Sequence, residues 1–237
     1  MSVARLWRCA LLVAREEGLW ALASRACRFL RYLISRTFYV EHVYLCRFDL
    51  SSLGAWPVPP PPADFDSRFI TSNGDAELVV AEGFEDLRDR VLRASQSLDA
   101  GCMALCMYCG QKLAHVGWMA RTRNAKQRFD DVPYPVDFAH GDACIGGVFT
   151  FPDYRGRGLM AHSLRLRLDY LRASGCTAAL SAVVVDNEAS LKAMARVGPF
   201  SRCRVIHVKL PGINYVRCED SHGSGNVGPW AKEGAND

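Results

Sequence analysis

Residues 151 to 160, Phe-Pro-Asp-Tyr-Arg-Gly-Arg-Gly-Leu-Met, constrain this chain most, because they join an apolar run to an amphipathic helix through a glycine-rich turn. Ala143 to Phe151 is apolar and partly β-branched, the pattern of a buried strand. Pro152 stops it, since proline has no N–H for the ladder. Beyond the turn, Met160, Leu164, Leu168 and Leu171 recur at helical spacing, which predicts a helix running to Gly175 with these side chains on one face. Gly156 and Gly158 let the backbone approach a ligand closely, and the helix start offers unpaired N–H groups beside Arg155 and Arg157. Such a corner suits a phosphate or pyrophosphate.

The next segment of the chain is equally ordered. Ala178 to Val185 reads as a strand, followed by Asp-Asn-Glu-Ala-Ser190, a short helix, and Gly198-Pro-Phe200. At these residues the sequence resembles the GNAT superfamily of acyl-CoA-dependent N-acyltransferases. That family opens its central helix with Arg or Gln, two residues, Gly, one residue, then Gly or Ala. Here the positions are Arg155, Gly158 and, out of pattern, Met160, with small Ala161 behind it. Its second segment carries an Asn, a Ser three residues later and a closing Gly-Phe pair. Asn187, Ser190, Gly198 and Phe200 match, with Pro199 inserted. The resemblance covers residues from about 68 to 210.

The resemblance implies an α/β fold: a GNAT-like mixed, mostly antiparallel central sheet flanked by helices, here with an N-terminal helical extension, in which the fourth and fifth strands splay apart to admit the acyl-CoA. By position it implies that backbone groups of Val148, Phe149 and Thr150 hold the pantetheine like a short added strand. Arg155, Gly156, Arg157, Gly158, Leu159 and Met160 would cradle the pyrophosphate, and Asn187 would contact the cofactor arm. Read from the residues alone, Asn187 caps the helix it precedes. The implied activity is N-acyl transfer, in the first place N-acetylation, from acetyl-CoA or another acyl-CoA to a small-molecule amine. The Arg-rich prefix resembles that of GNAT proteins of cell-envelope and polysaccharide biosynthesis, which implies an amino-sugar acceptor; protein or peptide amines stay open. A catalytically silent acyl-CoA-binding protein on the same fold is the alternative.

The chain departs from its family in proton-transfer residues. Many members place a Tyr seven residues after the Asn, and some a Glu five before it; the counterparts here are Met194 and Ala182, neither of which exchanges a proton. Deprotonation of the amine then falls to Asp142, where the apolar strand begins, or to His115, in the preceding hairpin. Their plainer readings are strand-end turn chemistry and a hydrogen-bonded core histidine.

The rest of the chain divides by composition into an Arg-rich amphipathic helical extension (1–50), a Pro-rich linker (51–67), the GNAT-like domain (68–217) and a disordered tail (218–237). No uncharged run in the extension approaches the roughly 20 apolar residues of a membrane span. Residues 1–36 remain candidates for peripheral membrane contact or dimerisation. A formal charge of +4, without an aromatic-interleaved basic stripe, gives no reason to expect nucleic acid. Ten cysteines without a secretory signal predict reduced thiols and a cytoplasmic protein, with the inner membrane surface as a peripheral site.

Tyr39 to Leu50 alternates loosely enough for a strand, and Asn73-Gly74 predicts a hairpin turn within 68–80. Phe84, Leu87, Val91, Ala94 and Leu98 predict one helix, and Arg202 to Leu210 a last strand. Cys102–Cys109 and Leu113–Ala120 predict a hairpin, and the polar stretch 121–140 a loop over the binding site. Cys102, Cys106 and Cys109 have a spacing that resembles radical S-adenosylmethionine enzymes, a remote alternative. Strand alternation would set Cys109 on the face opposite Cys102 and Cys106, so no metal ligands are assigned.

Overall fold

The computed structural model describes residues 39–55 and 64–219. The readings of a helical prefix, of most of the proline-rich linker and of a disordered tail fall largely outside the described residues. Eight strands form one sheet: β1 (Tyr39–Asp49), β2 (Phe65–Ile70), β3 (Met103–Cys109), β4 (Lys112–Ala120), β5 (Asp142–Thr150), β6 (Ala178–Val184), β7 (Ser201–Leu210) and β8 (Ile213–Cys218). Their spatial order is β2-β3-β4-β5-β6-β1-β7-β8. The pairs β2/β3, β3/β4, β4/β5 and β1/β6 are antiparallel, and β5/β6 is parallel. Among the described residues six α-helices accompany them: α1 (Asn73–Ala81), α2 (Leu87–Arg90), α3 (Ala94–Asp99), α4 (Arg123–Lys126), α5 (Leu159–Ala173) and α6 (Glu188–Ala195).

By contacts the described chain forms two units, residues 42–206 with 216–219, and residues 39–41 with 207–215. In the smaller unit His207 Nε2 lies 2.7 Å from Asn214 Oδ1, and its ring meets Tyr39 edge-on. In the larger unit, strand alternation sends side chains into two apolar layers. Val116, Trp118, Cys144 and Leu180 pack with Val79, Leu87 and Leu98. Met119, Ala143, Ile145, Ala179 and Val183 pack with Ala161, Leu164, Leu168 and Leu171 of α5. Leu164, Leu168 and Leu171 of the stripe expected on the central helix are buried, whereas Met160 is half-buried and lines the cavities described below.

Two local readings are corrected. Asn73-Gly74 opens α1 instead of turning a hairpin: Ser72 is extended and its hydroxyl accepts from Asp75 N at 3.0 Å, which caps the helix. The single helix expected over 84–98 is two short ones, broken at Arg93, whose φ of +63° no helix tolerates. The loosely alternating run from Tyr39 is a strand as expected, over Tyr39–Asp49, and seven of its residues pair with β6. The last strand, β8, has no counterpart among the elements expected from the sequence.

The stretch 121–140 carries α4 and is anchored rather than free. Tyr134 donates to Asp130 at 2.6 Å, Lys126 Nζ stands 3.6 Å from the same carboxylate, and the three side chains are buried or nearly so. Cys102 and Cys106 belong to one apolar layer while Cys109 packs with Met107, Ala114 and Leu159, so the three sulfurs do not converge. The cysteines among the described residues are free thiols. No described helix is long and apolar enough to cross a membrane. Ser72→Ala should lower stability by about 0.5–2 kcal/mol in urea titration, the usual loss for an N-cap; a neutral outcome would contradict the cap.

Candidate functional site

The site starts from a break in the sheet. β5 and β6 pair at only three positions, Asp142 with Ala178, Ala143 with Ala179 and Cys144 with Leu180, although β5 runs on to Thr150 and β6 to Val184. On its other edge β5 stays with β4 but bulges. Val116 faces Phe149 and Trp118 faces Gly146, so Gly117 stands opposite both Gly147 and Val148. Gly147 takes φ +54°, and a Cβ there would lie 2.8 Å from Trp118 Cδ1 and 2.9 Å from Phe129 Cβ, so only glycine fits.

Two adjoining cavities fill the opening. The inner one, about 200 Å³, is lined by Ile145–Val148, Ser181–Val184, Met160, Leu164, Arg167, Asn187, Ser190 and Met194. The outer one, about 500 Å³, is lined by Val148–Thr150, Tyr154–Gly156, Gly158–Ala161, Ala189, Ser190, Lys192, Ala193 and Arg196. They share Val148, Met160 and Ser190. Among the described residues no acid lines either cavity, whereas Arg155, Lys192 and Arg196 line the outer one and Arg167 the inner.

α5 begins at the outer cavity. Gly158 is its N-cap at φ +79°, and the first helical bond runs from His162 N to Gly158 O. The N–H groups of Leu159, Met160 and Ala161 therefore precede the ladder and, with the positive end of the helix dipole, favour an anion. α6 begins beside the inner cavity, where Asn187 Oδ1 accepts from Ser190 N at 3.1 Å. The arrangement can receive a long, polyanionic molecule with a narrow uncharged arm.

The sequence profile of the acetyltransferase (GNAT) family matches residues 80–198, half of the chain. The chain belongs to the GNAT acetyltransferase family. Among solved structures, a Drosophila protein aligns over 79% of this chain and 58% of its own, at 14% identity and a TM-score of 0.47. A GCN5-related N-acetyltransferase from Kribbella flavida aligns over 78% and 64%, at 15% identity and 0.45. A tandem GNAT protein from the clavulanic acid biosynthesis pathway aligns over 79% and 56%, at 17% identity and 0.48. This GNAT chain thus spans less than two thirds of each of these structures. A search among curated proteins gives no match.

Most of the residues expected to hold a cofactor meet here. Val148, Phe149, Thr150, Arg155, Gly156, Gly158, Leu159 and Met160 line the outer cavity, and Asn187 the inner, where it is also a helix cap. Arg157 lines neither: it donates to the Asp153 carbonyl at 3.3 Å, with its guanidinium over the Tyr154 ring. Lys192 and Arg196, absent from the sequence reading, stand one helical turn apart on the end of α6, a spacing that was visible. The loop 121–140 lines neither cavity; its Phe129 covers Gly146 and Gly147 instead.

The two residues expected to move protons are not brought to the cavities. Asp142 opens β5, eight residues before Thr150, and accepts from Arg47 Nη1 at 2.9 Å, so it closes the paired end of the wedge. His115 is fully buried, with Nδ1 2.7 Å from Thr150 Oγ1 and Nε2 without a partner among the described residues. Burial, and then the Arg167 guanidinium, push it down to about 3, so at neutral pH it is uncharged. Arg167 is itself enclosed, and burial lowers it to about 10.

The shift at His115 has a measurable sign. A histidine in the unfolded chain titrates near 6.5, so between about 3 and 6.5 the native state binds fewer protons. Stability from this group is complete above about 6.5 and is lost as pH falls toward 3, by up to about 1.4 kcal/mol per unit. His115→Gln should flatten the stability profile by one proton across that window, as read from urea titrations at stepped pH; an unchanged slope would show that His115 is not held neutral.

Proposed function

We propose that this chain transfers an acyl group from an acyl-CoA to an amine. The opening between β5 and β6, continuous with the cationic start of α5, carries the reading. The edge of β5 that leaves β6 after Cys144 keeps its backbone groups free of that neighbour, which suits an extended arm bearing amides, held as a short added strand. The outer cavity's Arg155, Lys192 and Arg196, with the unpaired N–H groups of α5, suit the diphosphate at the far end of that arm.

In the reaction the amine nitrogen attacks the thioester carbonyl, a C–N bond forms, the C–S bond breaks, and the proton lost from nitrogen balances the one gained by the thiolate. Backbone N–H groups near the Gly147 bulge are the candidates to meet the oxyanion. With Met194 and Ala182 lining the inner cavity, no side chain there is suited to shuttle the proton. Catalysis would rest on positioning, which supplies roughly 7–11 kcal/mol in favourable cases, without the about 10²–10⁴-fold help of a general acid or base. The same two residues favour, as the second reading, a silent acyl-CoA binder. The acceptor we would try first is an amino sugar, ahead of small amines and peptide lysines.

A panel of those amines with acetyl-CoA, followed by free-thiol release, separates the readings: release with any amine establishes transfer, and stabilisation by acetyl-CoA without release establishes binding alone. Gly158→Glu should keep the circular dichroism spectrum and abolish acetyl-CoA binding, since it puts a side chain and a negative charge at the helix start; retained affinity would remove the proposed phosphate corner. Asp142→Asn should lower stability by about 1–3 kcal/mol through the weakened Arg47 contact and leave the rate's pH profile unchanged. A shifted profile would return Asp142 to the reaction.

A further inference from the structure

The inner cavity holds a positive charge that no acid among the described residues balances. The Arg167 side chain is 1% exposed; Nε donates to Ser163 O at 3.3 Å and Nη1 to Trp118 O at 3.2 Å. Its Nη2 has no partner, and it makes no salt bridge, among the described residues. Asp169, two residues on, is taken by Arg165 and Arg172. His115, across on β4, is neutral, and Ser163 Oγ is likewise without a partner. An enclosed guanidinium with no counter-charge is among the least favourable groups in a protein interior. The sheet is nevertheless shaped around it: a Cβ at Gly117 would stand 2.7 Å from Arg167 Cζ.

We propose that the inner cavity is an acyl pocket for donors whose acyl group ends in a carboxylate, a dicarboxylic acyl-CoA such as succinyl-CoA, and that Arg167 selects them. This rests on the acyl-CoA reading above. Because the two cavities meet at Val148, Met160 and Ser190, a thioester lying in the opening extends its acyl chain inward toward the guanidinium. Ser181 and Asn187 add polar groups to the same wall, and no acid lines it to repel an anion. An acetyl group would leave the guanidinium as it is, unpaired.

Isothermal titration of the whole chain with free CoA, acetyl-CoA, butyryl-CoA and succinyl-CoA tests this without knowing the amine. Succinyl-CoA should bind about 10–100-fold more tightly than butyryl-CoA, its uncharged counterpart of equal chain length, as expected for a charge-assisted contact. Arg167→Met should collapse that ratio, and Arg167→Lys should restore part of it. Equal affinity of the wild type for succinyl-CoA and butyryl-CoA, while free CoA still binds, overturns this inference alone and holds even if the variants do not fold. An equal loss for all four ligands in a folded Arg167→Met overturns it too, making Arg167 a structural anchor. No binding of any CoA species overturns both this inference and the acyl-CoA reading.

Discussion

Everything at the site depends on β5 and β6 ceasing to pair after three residues. A gap in the middle of an eight-stranded sheet is costly, since each enclosed N–H or carbonyl left alone costs about 1–3 kcal/mol. It persists because both strands are held from outside the gap. β4 stays paired with β5 on both sides of the bulge, β1 keeps seven residues on β6, and Arg47 clamps Asp142 at the paired end. The opening is therefore framed by paired strands on both sides.

The side chains lining that gap carry charge of one sign. Three cations line the outer cavity and one the inner, and among the described residues no acid lines either; Glu188 pairs with Lys192 at 2.8 Å beside the outer cavity, while Asp142 and Asp130 are held elsewhere by Arg47 and Tyr134. A field of one sign over a concave surface raises the local concentration of oppositely charged ligands. The enclosure that keeps His115 neutral, outside the cavities, makes the interior sensitive to acid.

How much of this was legible in the sequence depended on whether the signal was local. The strand before Pro152, the stripe of α5, the hairpin of β3 and β4 and the Asn187 cap all rest on periodicity or on residues a few positions apart. Asn73-Gly74 misled because the same dipeptide serves a hairpin turn or a helix start, and Ser72 decided between them. Arg93 gave no warning that it would break a helical stripe. Asp142 was judged by its place before the apolar strand, but a strand of that length carries its two ends about 25–30 Å apart, and the cavity is at the other end. Arg167 stands three residues after Leu164, within the apolar stripe itself, yet what makes it matter is the absence of an acid among residues far away in the chain. No local pattern carries that.

The position of β1 bears on how the chain comes to be folded at all. Val43 meets Val184 and Asp49 meets Ala178, so the first described strand has its partner near the far end of the larger unit. During synthesis the β2, β3 and β4 ladder can assemble from sequence neighbours as it emerges, but β1 must wait, with its edge unpaired, until β6 has been made. Such distant pairing closes a long loop late and slows folding, and a waiting strand edge is a place where chains stick to one another. The wedge between β5 and β6 is thus also among the last parts of the sheet to exist.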